Sequence, residues 1–87
     1  MNWNVFFLEM TLFIDEHPMG EFDEETLKQL QNSPRDELGI THKNILYNED
    51  EDEIFCILDA PNKGAVEKHH DQAGLKCDSI MEVKSTA

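Results

Sequence analysis

Hydrophobic residues crowd the chain from Val5 to Ile14. Leu8, Met10, Leu12 and Ile14 recur two apart, while Phe7, Glu9, Thr11, Phe13, Asp15 and His17 occupy the alternate positions. A period of two places the first set on one face of a strand and the second on the other. The wholly apolar set is expected to pack beneath helices, which turns Asp15 and His17 to the opposite face. The "HPMGEF" that follows contains Pro18 and Gly20 and reads as a loop.

Asp23 suits the N-cap of a helix that carries Leu27 and Leu30 on one face and stops near Asn32, with Phe22 stapled onto Leu27. Ser33 and Pro34 read as a second helical start, anchored by Leu38 and ended by Gly39. From Ile40 the pattern is extended again. "ITHKNILYN" and "EIFCILD" are the two strands of a hairpin joined by the charged "NEDEDE". Pro61 suits the first turn of another helix, in which Ala65, Val66, one of His69 and His70, and Ala73 share a face. Gly74 supplies its left-handed stop, and "SIMEVK" is the closing strand.

Strand, helix, strand, strand, helix, strand is the order of an α+β protein with the ferredoxin-like βαββαβ split plan and an antiparallel four-stranded sheet. In that plan the third strand is central, and its "IFCIL" is apolar on both faces, so the sheet face away from the helices needs cover. A second copy of the chain is the expected cover, giving a homodimer of the α/β barrel type with a cleft between sheet and partner. The chain has 87 residues, enough for one small core that gains from such pairing. Residues 10–84 are assigned to this single domain, 1–9 to an N-terminal extension of the first strand, and 85–87 to a tail.

Charge narrows the partners. Nineteen acidic residues against seven basic ones give a net charge of −12, which repels phosphate backbones and anionic lipid, so neither nucleic acid nor a membrane is an expected partner. No Lys or Arg precedes Lys28, and Glu9 interrupts the apolar start, so the beginning fits neither a signal peptide nor a membrane span. Cys56 and Cys77 lie far apart with no paired-cysteine motif, which suits a reducing compartment and a cytoplasmic location. The acidic run Glu49 to Glu53 lacks the glycine of a calcium loop and reads as a solvated hairpin tip. Glycine-rich phosphate loops and nucleophile elbows are absent, which removes those enzyme classes.

What remains is chemistry of histidine, carboxylate and thiol. Asp15 and His17 are two apart on a strand and share a face; an imidazole beside a carboxylate suits nickel, copper or zinc, or else simply marks a frayed strand end. His69 and His70 point about 100° apart on a helix, so at most one faces inward. His42 shares a strand face with Asn44. Cys56, in the middle of the third strand, reads chiefly as a small apolar filler, whereas Cys77, beside Asp78 in a loop, is the more exposed thiol. The candidate metal ligands are therefore His17 and Asp15 with one of His69 and His70, followed by His42 and Cys77. The function expected is metal binding, buffering or sensing by a cytoplasmic homodimer, with turnover the less favoured role. The alternative is a small-molecule-binding protein or acid–base enzyme of the dimeric α/β barrel type, with Asp15 and His17 as the proton-transfer pair.

"FIDEH", "IFCILDAP", "AVEKHHDQAG" and "IMEV" together resemble a group of small ferredoxin-like proteins catalogued partly as nickel-binding proteins and partly as a domain of unknown function. The resemblance spans residues 10 to 84, and Met10 matches the group's usual start. It implies a dimeric βαββαβ protein with a metal, chiefly nickel, as ligand and no established reaction. The matching positions are Asp15, His17, Cys56 and His70. Many members carry a histidine in the first helix, where this chain has Leu27 to Gln31.

Overall fold

A computed structural model describes residues 10–75 and 77–87. Strand β1 (Thr11–His17) leads into helix α1 (Glu24–Gln31). The hairpin of β2 (Thr41–Asn48) and β3 (Glu53–Ala60) follows, then helix α2 (Lys63–Ala73) and strand β4 (Ser79–Val83). The four strands form one antiparallel sheet in the order β2-β3-β1-β4. This is the α+β, ferredoxin-like βαββαβ fold. The part of the first strand expected before Met10, and the extension assigned to residues 1–9, lie outside the described residues.

The helices form where their caps are. Asp23 accepts from the Thr26 backbone N–H at 2.8 Å and starts α1, and Asn62 does the same for Ala65 at 2.8 Å at the start of α2. Pro61 therefore precedes the cap and does not sit in the first turn. Gly74 ends α2 with φ 69°, a conformation that costs glycine little, and the Leu75 N–H returns to the His70 carbonyl at 3.0 Å. The expected helical start at Ser33 does not form. Its place is taken by a turn organised by Asp36, whose Oδ1 accepts from Leu38 N and Ile40 N at 2.9 and 3.0 Å. An aspartate offering local acceptors to the backbone competes with helix, and here it wins.

Both helices lie on one face of the sheet. Phe13, Ile54, Cys56, Leu58 and Ala60 point to that face and bury with Leu27 of α1 and Val66 of α2. Asp15 and His17, in step with Phe13, are buried there too, at 1% and 2% exposure. This reverses the expectation from periodicity: Leu12 and Ile14, half-buried, occupy the face away from the helices. Both faces of β1 carry large apolar residues, so alternation defines two sets without saying which one the helices cover. On the helix-free face the register aligns Ile14 with Ile57 and Met81, Leu12 with Val83, and Leu46 with Phe55. Leu46 and Met81 there are 49% and 60% exposed.

Strand β2 holds one irregularity. Its pairing with β3 passes from His42↔Leu58 to Asn44↔Ile57, a bulge that accommodates Lys43 as an extra residue. An inserted residue shifts the side-chain alternation by one. His42, opposite the buried Leu58, thereby joins the helix face, while Asn44 stays exposed on the other side. The expectation that His42 and Asn44 share a face is corrected by that single extra residue.

Candidate metal centre

Three buried side chains converge under helix α2. Pairing of β1 with β3 sets Asp15 opposite Cys56 and His17 opposite Ile54, and α2 crosses this face with Val66 and His70 turned inward. His70 Nε2 lies 3.4 Å from Asp15 Oδ2, and His17 Nε2 lies 3.7 Å from Asp15 Oδ1. One ligand atom from each of the three falls within 4.8 Å of the others. Those separations approach the edge of about 3 Å in a coordination sphere whose bonds are about 2.1 Å long. Of the two helix histidines, His70 is the one that faces inward, at 4% exposure.

The other ring nitrogens decide what the cluster can do. His17 Nδ1 sits 3.1 Å from the Pro18 carbonyl and His70 Nδ1 sits 2.8 Å from the Val66 carbonyl. A carbonyl only accepts, so both Nδ1 atoms carry protons and donate. In the neutral rings each Nε2 is then a lone pair, and both lone pairs are aimed at a carboxylate. Among the described residues Asp15 Oδ1 has no hydrogen-bond partner. Lone pairs and anionic oxygen crowded together away from water repel unless a positive charge stands among them. A proton shared with His70 is one solution: burial opposes its protonation, but the bonds to Asp15 and to the Val66 carbonyl outweigh burial and hold its pKa above the ordinary imidazole value. A divalent cation is the other. Fixing the ligating ring through its far N–H is the arrangement found around protein-bound metals.

A sequence comparison bears on which cation. The family described as nickel responsive protein SCO4226-like matches over residues 13–83. The chain belongs to that family. No curated protein and no solved structure matches it. In this SCO4226-like chain the matched span holds all three members of the cluster. Two imidazoles and one carboxylate form a donor set that suits a divalent first-row metal, so the residues present fit the ion that the family description implies.

The remaining sequence candidates are placed around the triad. Cys56 Sγ lies 3.7 Å from His17 Nε2. Burial, and then the Asp15 charge, push its thiol pKa up, so it stays protonated beside the triad in the absence of metal. Its position in a central strand suggested chiefly a filler, while the family resemblance included it among the matching positions; its place opposite Asp15, which depends on strand register, is what sets it beside the triad. Cys77 lies outside the triad, with Sγ 3.2 Å from the Ser79 carbonyl and 3.8 Å from that of Glu16. Burial and Asp15 push its pKa up as well. His42 also stands apart, its ring centroid 5.8 Å from that of His69.

Two clefts reach the histidines of this SCO4226-like site. One, of about 500 Å³, has His17 in a wall completed by Met19, Phe22, Leu75 and neighbours. The other, of about 610 Å³, has His70 among Glu67, Asp71, Cys77 and Asp78. Leu75 borders both. Among the described residues no helix is long and apolar enough to cross a membrane.

Proposed function

We propose that this protein binds a divalent first-row transition metal, nickel first and copper or zinc as alternatives, through His17, His70 and Asp15. The reading rests above all on one observation: both Nε2 lone pairs are locked towards the Asp15 carboxylate by hydrogen bonds on the far side of their rings. Bound there, the metal would supply the positive charge that three buried acceptors need. Cys56 is the adjacent thiol for an ion that prefers sulfur, at the cost of its proton. The protein serves binding, buffering or sensing of the ion rather than turnover, and acts in the cytoplasm, a reading supported by two free cysteines.

The proposed unit is a homodimer. Support comes from the apolar sheet face of Leu12, Ile14, Leu46, Phe55, Ile57 and Met81, which no element among the described residues covers. A strip of this kind, flanked by polar positions, is what a self-associating surface carries.

Isothermal titration of tag-free protein with Ni²⁺, Cu²⁺ and Zn²⁺, repeated on His17→Ala, tests the site. Saturable heat in the wild type and its loss at the triad in His17→Ala are expected; unchanged heats in the variant would remove the proposal. A second reading, small-molecule binding with Asp15 and His17 as an acid–base pair, draws on the cleft lined by His17, Met19, Phe22 and Leu75. It predicts that an organic ligand, and not a metal, protects the protein against thermal unfolding.

A further inference from the structure

The four histidines of the chain are ring neighbours in succession. Ring centroids are 5.7 Å apart from His17 to His70, 5.8 Å from His70 to His69, and 5.8 Å from His69 to His42. The first pair belongs to the triad with Asp15. The last pair has a carboxylate of its own. We propose that His42 and His69 form a second site for a divalent first-row metal, with Asp36 as the residue that positions His69. The inference takes the same class of ion as the reading above but stands on different side chains.

Asp36 is fixed before any ion arrives. Its Oδ1 accepts the N–H groups of Leu38 and Ile40, and its Oδ2 stands 2.9 Å from His69 Nδ1. Burial works against its charge, but the Ile40 N–H, His69 and the Leu38 N–H hold its pKa below the ordinary carboxylate value. An ionised carboxylate only accepts, so His69 Nδ1 is the donor and its Nε2 carries the lone pair. A histidine clamped by a carboxylate through one nitrogen and free to ligate through the other is the recurrent outer-sphere pattern of metal sites. A purely structural tie between the 33–40 loop and α2 would account for the Asp36 contact, but it leaves His42 without a role.

His42 completes the pair. The bulge at Lys43 turns it to the helix face, and the Gln31 side-chain amide, donating to the His42 carbonyl at 3.1 Å, holds that stretch of β2 against α1. His42 is 9% exposed and its ring is tilted 59° to that of His69, at nearly the centroid separation of the triad pair. Burial, and then the neighbouring His69, keep it neutral at physiological pH, so its lone pair is available. Two imidazoles with water in the remaining positions suit nickel, copper or zinc, and bind more weakly than a set that includes an anionic oxygen. His69 is also the more accessible ring, its side chain 21% exposed.

The test is a Ni²⁺ titration of tag-free wild type, His42→Gln, Asp36→Asn and His17→Ala by calorimetry, with folding checked by circular dichroism. Two ions per chain are expected in the wild type. His42→Gln removes the weaker event and keeps the tighter one, and Asp36→Asn weakens the weaker event about 10- to 100-fold. His17→Ala does the reverse of His42→Gln, so failure of the triad reading is seen separately as a tight event that survives in His17→Ala. One ion per chain in the wild type, or a second event unchanged in His42→Gln, overturns the inference. Should His42→Gln not fold, paramagnetic broadening of the ring protons in His17→Ala, where the triad no longer binds, decides: at saturating Ni²⁺ the His42 and His69 signals are lost, and their persistence overturns it.

Discussion

His70 Nε2 stands 3.4 Å from Asp15 Oδ2, joining helix α2 to strand β1 through the middle of the core. Their separation in sequence is wide, and the contact exists because α2 crosses the sheet with its inward face over the second residue after Phe13. A buried carboxylate in that place would be costly in a small domain unless its charge is met.

Metal should stabilise the fold through Asp15. An ion present at 100 times its Kd adds about 2.7 kcal/mol, which in a domain of this size raises Tm by about 10 °C or more. Asp15→Asn keeps the shape but loses the anionic oxygen, and its Tm should rise clearly less with Ni²⁺ than that of the wild type. Differential scanning fluorimetry with and without the ion measures this; an undiminished shift in the variant contradicts the assignment of Asp15.

Protons should compete with the ion at His70. Because its pKa lies above the ordinary imidazole value, the ring must give up a proton to ligate at pH values where a solvated histidine has already done so. Affinity should therefore begin to fall above pH 6.5, the ordinary value, and continue to fall as acid is added. Binding isotherms at pH 8, 7 and 6 should show it, with proton release on binding in buffers of different ionisation heat.

The metal-free protein should lose stability in mild acid for a different reason. His42 is held neutral down to about pH 4 against 6.5 for a free imidazole, chiefly by burial. The unfolded chain takes up its proton first, so unfolding becomes easier as pH falls from 6.5 towards 4, by at most about 3 kcal/mol. His70 acts in the opposite sense. Its raised pKa contributes stability that is full below 6.5 and fades as pH rises through the folded value. Urea unfolding in EDTA across this range should show the acid loss in the wild type and a shallower one in His42→Gln.

The two faces of strand β3 should respond differently to substitution. Leu58 is fully buried beneath the helices, and Leu58→Ala should cost about 2–5 kcal/mol at any protein concentration. Ile57→Lys, on the helix-free face, should instead turn a dimer into a monomer with the triad intact. Sedimentation equilibrium separates the outcomes, and a wild type that is monomeric at all concentrations would remove the proposed homodimer.

Much of the architecture was open to reading in the chain itself. Asp23 and Gly74 mark helix ends by chemistry that acts within a few residues, and the charged tip between β2 and β3 marks a hairpin in the same way. Strand periodicity also placed Asp15 and His17 on a common face, and the family resemblance paired them with His70. Periodicity misjudged which face this was, because Phe13 on one side and Leu12 with Ile14 on the other are comparably apolar. The Lys43 bulge left no trace either, since one extra residue alters alternation only relative to a partner strand.

The sequence by itself determined the order of elements, their caps and turns, and the supply of imidazole, carboxylate and thiol, because each of these depends on neighbours a few positions away. Only the tertiary structure decided which of those groups meet. It brought His70 over Asp15, set Cys56 beside His17, and gave His69 the Asp36 carboxylate from 33 residues earlier. Those encounters depend on strand register and on which side of the sheet the helices cover, and both are settled by packing the whole core at once.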